Sequence, residues 1–258
     1  QYSSNTDNYT YVAWNWKANG GTTTTNDASS TSIGSIDSVF QANTTAGFSI
    51  VQFAATGSAG TIAHGLSAAP ELMILKSRDQ NGTNWTVYAG DNTDYLRLNS
   101  NVATADDANA WNDTSPTSTV FSVGANGGDT NNSSTTNMIA YLFHSVEGYS
   151  KIGSYTGNDK ADGSFIFLGF RPAFIFFKDT TYASEWSMFD NKRAGFNSQT
   201  DIMYPSTDGA EDVSNAIFAD ILSNGFKWRF SNDDFNDSAS NYIYMAFADQ
   251  PFKYANAR

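Results

Sequence analysis

The loop NDDFND, Asn232 to Asp237, gathers Asp233, Asp234, Asn236 and Asp237, and NDKADG, Asn158 to Gly163, adds Asp159 and Asp162. Hard oxygen donors crowded into a loop suit calcium, although neither loop has EF-hand spacing, and a solvated acidic turn is the competing reading. A second group is aromatic. Trp111, Tyr95, Tyr182 and Trp228 have no counterpart elsewhere in the chain and are candidate ligand or interface residues. Exposed rings stack on sugars while Asn and Asp read hydroxyls, so these two groups together outline a calcium-dependent carbohydrate-binding module as one alternative.

Other chemistry has less to work with. The chain has two histidines, His64 and His144, and no cysteine, which excludes disulfides and thiolate sites. A metal centre or triad needs several convergent groups, so both histidines read as hydrogen bonders at turns or strand ends. Phosphate-cradling, nucleophile-elbow and zincin patterns do not occur. Only Glu71, Glu147, Glu185 and Glu211 are glutamates. Asp in loops rich in Asn and Gly is ordinary turn chemistry, which leaves a hydrolase with a paired-carboxylate cleft as a lesser alternative. The sequons at Asn81, Asn84 and Asn112 are acceptors only in a glycosylating host.

Composition bounds the partners. Lys and Arg number 14 against 26 acidic residues, a net charge of -12, which disfavours nucleic acid and anionic membrane surfaces. The most apolar run, Phe165 to Phe170, is too short to cross a bilayer. Charged residues are only 16%, so Asn, Thr, Ser and Gly carry the polarity, as in an all-β protein built on tight turns. The chain opens on Gln1 without a leader pattern, which reads as a processed chain or a segment of a longer one.

The elements that would position these residues repeat. GFSIVQFAATG (Gly47 to Gly57) is echoed by GYSKIGSYTG (Gly148 to Gly157), HGLSAAPELMILK by LGFRPAFIFFK, and NWTVY by EWSMF. Pairing Trp85 with Trp186 and Gly47 with Gly148 gives the same offset of 101 residues, and the repeated pair of tryptophans reads as core. NMIAYLFHS (Asn137 to Ser145) and NYIYMAFAD (Asn241 to Asp249) close the two units, and YVAWNWK (Tyr11 to Lys17) fits that closing pattern a third time.

Four segments follow: residues 1–17 as the terminal strand of a preceding, missing repeat; 18–46 as a polar linker whose Ile33 to Asn43 portion could form a first strand; and sandwich repeats over 47–147 and 148–258. ELMILK and AFIFFK, apolar on both faces, suit the centre of a sheet. Gly209 to Gly225 has the spacing of a short helix or turn.

As a set, GFSIVQFAATG, HGLSAAPELMILKSRD, NWTVY, YSKIGSYTGN, GFRPAFIFFK, NGFKWR, YIYMAFADQPFK and YVAWNWKANGG resemble a repeat domain of tail, fibre and other virion-associated proteins of marine bacteriophages, cyanophages especially. The resemblance runs from Tyr11 to Lys253. It implies tandem lectin-like jelly-roll β-sandwiches on the virion exterior, with no catalytic residues to carry over. The expected function is a non-enzymatic structural protein, in a tail fibre or other exterior component, serving host-surface attachment or particle assembly. The expected partners are other virion proteins, host-surface glycans and further copies of itself, a trimer foremost. Capsid decoration is the nearest variant of that reading.

Overall fold

The computed structural model describes residues 7–8, 10–18, 20–125, 129–131, 136–194, 197–213, 219–231 and 233–250. The chain is nearly all antiparallel β, without a closed barrel. The elements are β1 (Thr24–Asn26), α1 (Ala28–Thr31), β2 (Ser38–Asn43), β3 (Phe48–Ala54), β4 (Gly60–Ala63), β5 (Leu72–Ser77), β6 (Thr86–Tyr88), β7 (Asp94–Arg97), β8 (Ala105–Asp106), α2 (Ala108–Trp111), β9 (Val120–Val123) and β10 (Asn137–Phe143). There follow β11 (Ser150–Thr156), β12 (Phe165–Phe167), β13 (Pro172–Asp179), β14 (Ser187–Asp190), β15 (Ala219–Leu222), β16 (Gly225–Trp228), α3 (Asp233–Asn236) and β17 (Asn241–Ala248).

The same four-strand pattern occurs twice. β3-β10-β5-β6 lies inside an eight-stranded sheet ordered β1-β2-β3-β10-β5-β6-β7-β8, and β11-β17-β13-β14 forms the second large sheet. A small sheet covers one face of each: β4-β9 in the first unit and β12-β16-β15 in the second. The ladders show where the units are equivalent. Phe48 pairs with Phe143, whereas Ser150, not Tyr149, pairs with Phe247, so the second unit carries one additional residue before this strand relative to the motif alignment. A turn closed by Val146 and Ser150 absorbs it.

Three apolar layers follow from strand alternation. Val51, Phe53, Met73, Leu75, Met138, Ala140 and Leu142 face β4 and β9, which return Ile62, Phe121 and Val123. Ile175, Phe177, Tyr244 and Ala246 likewise meet Ile166, Ile221, Phe226 and Trp228. The opposite faces of the two large sheets meet each other. Phe48, Leu72, Val87, Leu96 and Phe143 pack on Phe174, Phe176, Trp186, Ile243, Met245 and Phe247 in a third core. The doubly apolar strands are therefore central in their sheets, and their second faces are buried by the other unit. Trp186 stacks on Phe176 with centroids 4.7 Å apart and donates its indole N–H across the seam to Arg97 O at 2.8 Å.

Two sequence expectations change. Tyr11 to Lys17 joins no ladder; it lies against the shared layer, where Trp16 meets Phe143, Phe174 and Phe247 at 6.1, 5.7 and 5.4 Å. Its alternation serves side-chain packing rather than strand pairing. The expected linker over 18–46 carries β1, α1 and β2, with Asp27 capping α1 through Ser29 and Ser30 N–H, so most of it belongs to the first sandwich. Of the helix expected within Gly209 to Gly225, residues 214–218 lie outside the described residues, and Ala219–Leu222 is strand β15.

Candidate functional site

Where the two units meet, a cleft of about 400 Å³ opens beside the shared layer. One wall is the turn before β7 and the strand itself, with Asp91, Asp94 and Tyr95; the other is Thr180, Thr181 and Asn241. Both walls are fixed from behind. Asp91 Oδ1 accepts Thr93 N–H at 2.9 Å and the Thr93 hydroxyl at 2.8 Å, and these bonds hold its carboxyl below the usual range. The Trp111 indole N–H donates to Asp94 O at 3.0 Å, and Arg97 lies over the Tyr95 ring at 5.5 Å while donating to its hydroxyl.

Opposite, buried Asp179 accepts Thr181 N–H, Tyr182 N–H and the Ser240 hydroxyl, while Thr181 Oγ1 accepts Asn241 N–H at 3.0 Å. Thr104 ties the walls together, donating N–H and Oγ1 to Thr180 O at 3.1 and 3.0 Å. A ring, two carboxylates, two threonines and an amide held this way can receive a hydroxyl-rich ligand.

The four aromatic candidates separate cleanly. Tyr95 lines the cleft, and Tyr182 is 52% exposed one residue beyond Thr181. Trp111 and Trp228 are corrected to core residues. Trp111 is fully buried edge-to-face against Tyr88 at 5.5 Å, and Trp228 sits among Phe177, Phe189, Phe226 and Phe235. Of the recurring pair, Trp186 is wholly buried, whereas Trp85 is half-buried and stacked on Tyr141 at 6.4 Å.

The two acidic loops do come together, but through structural bonds. Buried Asn236 accepts Asn158 N–H and donates to Asn158 Oδ1, Lys160 O and Phe230 O. Asp237 caps Ala239 N–H, and Asp162 pairs with Lys227 and Arg229. Asp234 is exposed, Asp233 lies on α3, and Asn232 is outside the described residues. Among the described residues, no three His, Asp or Glu side chains converge on a point a metal could occupy.

His64 is fully buried. Its Nδ1 accepts Leu66 N–H, so its Nε2 carries the proton and donates to Thr117 O at 3.1 Å. Burial lowers its pKa to about 4. His144 donates from Nδ1 to Ser145 O at 2.8 Å.

The profile of a family described as a domain of unknown function, DUF7483, matches residues 1–251. The chain belongs to that family. No curated protein and no solved structure matches it. The DUF7483 match takes in both sandwiches, the shared layer and the cleft between them.

Within that span, several important residues carry little sequence signal. Asn131, equivalent to Asn236, accepts Thr56 and Gly57 N–H and donates to Ser58 O and Gly124 O. Lys76 and Lys178 end equivalent strands and cap the carbonyls of the loops that follow, at Thr83 and at Asp179 and Tyr182. Burial lowers the Lys178 pKa to about 8. An Asn or a Lys in this polar sequence looks like surface; only its place in the repeat could have marked it. Asp91 and Asp94 were obscured likewise, since their partners at 180–181 and 241 are supplied by the other unit.

Proposed function

We propose that this protein is a non-enzymatic structural and adhesive component of a phage virion exterior, binding host-surface glycans through the junction cleft. The observation that carries the proposal is that cleft: an aromatic ring beside carboxylates, hydroxyls and an amide, with walls contributed by two sandwiches locked through a shared core. Rigid walls lower the ordering cost of binding, and repeated copies on a particle would raise weak glycan affinity into avidity. The resemblance of the repeated motifs to marine phage tail and fibre proteins supports the virion setting.

The test uses labelled protein with cyanobacterial cells and their extracted surface polysaccharide. Saturable binding to both is expected, with the polysaccharide chain length unchanged. Ala103→Trp, which places a large side chain in the cleft lining, is expected to weaken binding by roughly tenfold or more, about 1.4 kcal/mol, without lowering the unfolding midpoint. Binding that ignores this substitution contradicts the cleft, and shortened polysaccharide contradicts a non-enzymatic role.

A further inference from the structure

The junction cleft does not end at its own walls. Ala89 and Ile243, which line it, also line a second hollow of about 370 Å³, and Glu71 and Ile152 line both that hollow and a third of about 580 Å³. The three make one furrow along the seam between the units. On the first sandwich it passes from β7 to β6, then to the start of β5 and to Ser145 just after β10, strands that are successive neighbours in their sheet. On the second it passes from Thr180 and Thr181, just beyond β13, across β17 to β11, again in sheet order. Three strand spacings of about 4.8 Å make the furrow roughly 14 Å long, the length of about three linked pyranose rings.

Its chemistry changes along that length. Tyr95, Asp91 and Asp94 stand at one end, Glu71 and exposed Glu147 at the other, and between them lie Pro70 and Pro116 of the first unit and exposed Ser154 of the second. Four carboxylates therefore line the furrow, one of them held in place by Ser145 N–H, which donates to Glu71 Oε2. Lys151, the one ammonium lining it among the described residues, is turned to Phe167, donating to its main-chain O at 2.7 Å and lying over its ring at 5.4 Å. Ligand hydroxyls and amines donate well to carboxylates, whereas a uronate or sulfate would meet like charge. A peptide strand fits less well. Ile152 N–H on the edge of β11 is already donated to Ser145 Oγ at 3.0 Å, which interrupts the row of main-chain groups that an added strand requires.

We propose that the furrow holds a linear stretch of polysaccharide, about three sugar units long, whose repeats carry hydroxyls or amines and no acidic groups. This deepens the glycan-binding function proposed above and rests on it: the junction cleft becomes one end of a longer, charge-selective site.

Titration calorimetry of the full chain tests it, with size-separated fragments of the cyanobacterial surface polysaccharide divided by ion exchange into a neutral or basic pool and an acidic pool. In the first pool, affinity should rise by roughly tenfold or more from one-unit to three-unit fragments and level off beyond them. Acidic three-unit fragments should bind roughly tenfold or more weakly at low salt, and a Glu71→Gln/Glu147→Gln variant, which keeps an acceptor for Ser145 N–H, should narrow that gap. Ser154→Trp, at an exposed position in the middle of the furrow, should bring three-unit fragments down to the affinity of single units with a wild-type urea midpoint. Equal affinity for one-unit and three-unit fragments, or a gain with length that survives Ser154→Trp, would overturn the furrow; binding still blocked by Ala103→Trp would then leave the cleft reading intact. Acidic fragments that bind as tightly as the others would overturn the charge selection and with it the proposal. Absence of binding by every fragment would overturn both readings, and a lysine-rich peptide bound in their place would assign the furrow to a protein segment.

Discussion

The first sandwich and the second share a four-strand pattern, yet one is insulated and the other open. In the first, residues 24–43 and β7-β8 extend the large sheet on both sides, and Ser35 and Ile36 close the small one. In the second, the connection from β10 to β11 is a short turn at Val146 to Ser150, which leaves no chain for an equivalent cover. The lesson concerns where hydrophobic faces are satisfied. A repeated unit can keep its strand order while its edges and outer face are completed by different neighbours.

The sharpest contrast to break is the tryptophan pair. Trp186→Ala removes a fully buried ring stacked on Phe176 and a hydrogen bond across the seam, so a loss of about 3–5 kcal/mol is expected. Trp85→Ala, at the equivalent but half-buried position, should cost less than half as much. Urea unfolding of both variants measures the difference. Equal losses would mean that the shared layer contributes nothing beyond an ordinary sheet face.

A second contrast lies between His64 and its equivalent, Leu168. The folded pKa of His64 is lowered to about 4 by burial, against an ordinary value of 6.5. Between these values the unfolded chain binds the proton and the folded chain does not. Stability is therefore highest above pH 6.5 and falls by about 3 kcal/mol as pH drops to 4. His64→Gln should remove that portion of the slope, measured as the difference between the unfolding free energies of variant and wild type at each pH.

The smallest effect concerns the buried asparagines, which sharpen the comparison by being alike. Asn131→Ala and Asn236→Ala each strand buried N–H and carbonyl groups, and each should cost about 2 kcal/mol. Similar losses in the two thermal unfolding curves would confirm that one device closes both sandwiches. An Asn236 loss reversed by added calcium would instead return the acidic loops to metal chemistry.

Much of this architecture was legible in the sequence. The all-β class followed from the turn-rich composition, and ELMILK and AFIFFK, apolar on both faces, marked β5 and β13 as strands inside their sheets. What stayed hidden depended on long-range partners. YVAWNWK has strand periodicity, but period-2 alternation also serves a segment that lays Trp14 and Trp16 onto a neighbouring core. Ser- and Thr-rich residues 24–43 looked like linker because their strands are half-polar and lie at a sheet edge. Of the four aromatic residues that stood out, only Tyr95 lines the cleft, while Trp111 and Trp228 stood out for the same compositional reason and proved to be core. Burial depends on which sheet lies opposite, and the chain records that only in its pairing.

The central claim is that the two sandwiches form one body through their shared aromatic layer. Equilibrium urea unfolding of the full chain tests it most directly, with Trp fluorescence in parallel with amide exchange at β10 and β17, one strand from each unit. A single transition at one midpoint for all probes is predicted, shifted as a whole by Phe247→Ala in the shared layer. Two separate transitions, with Phe247→Ala moving only the second unit's, would contradict it.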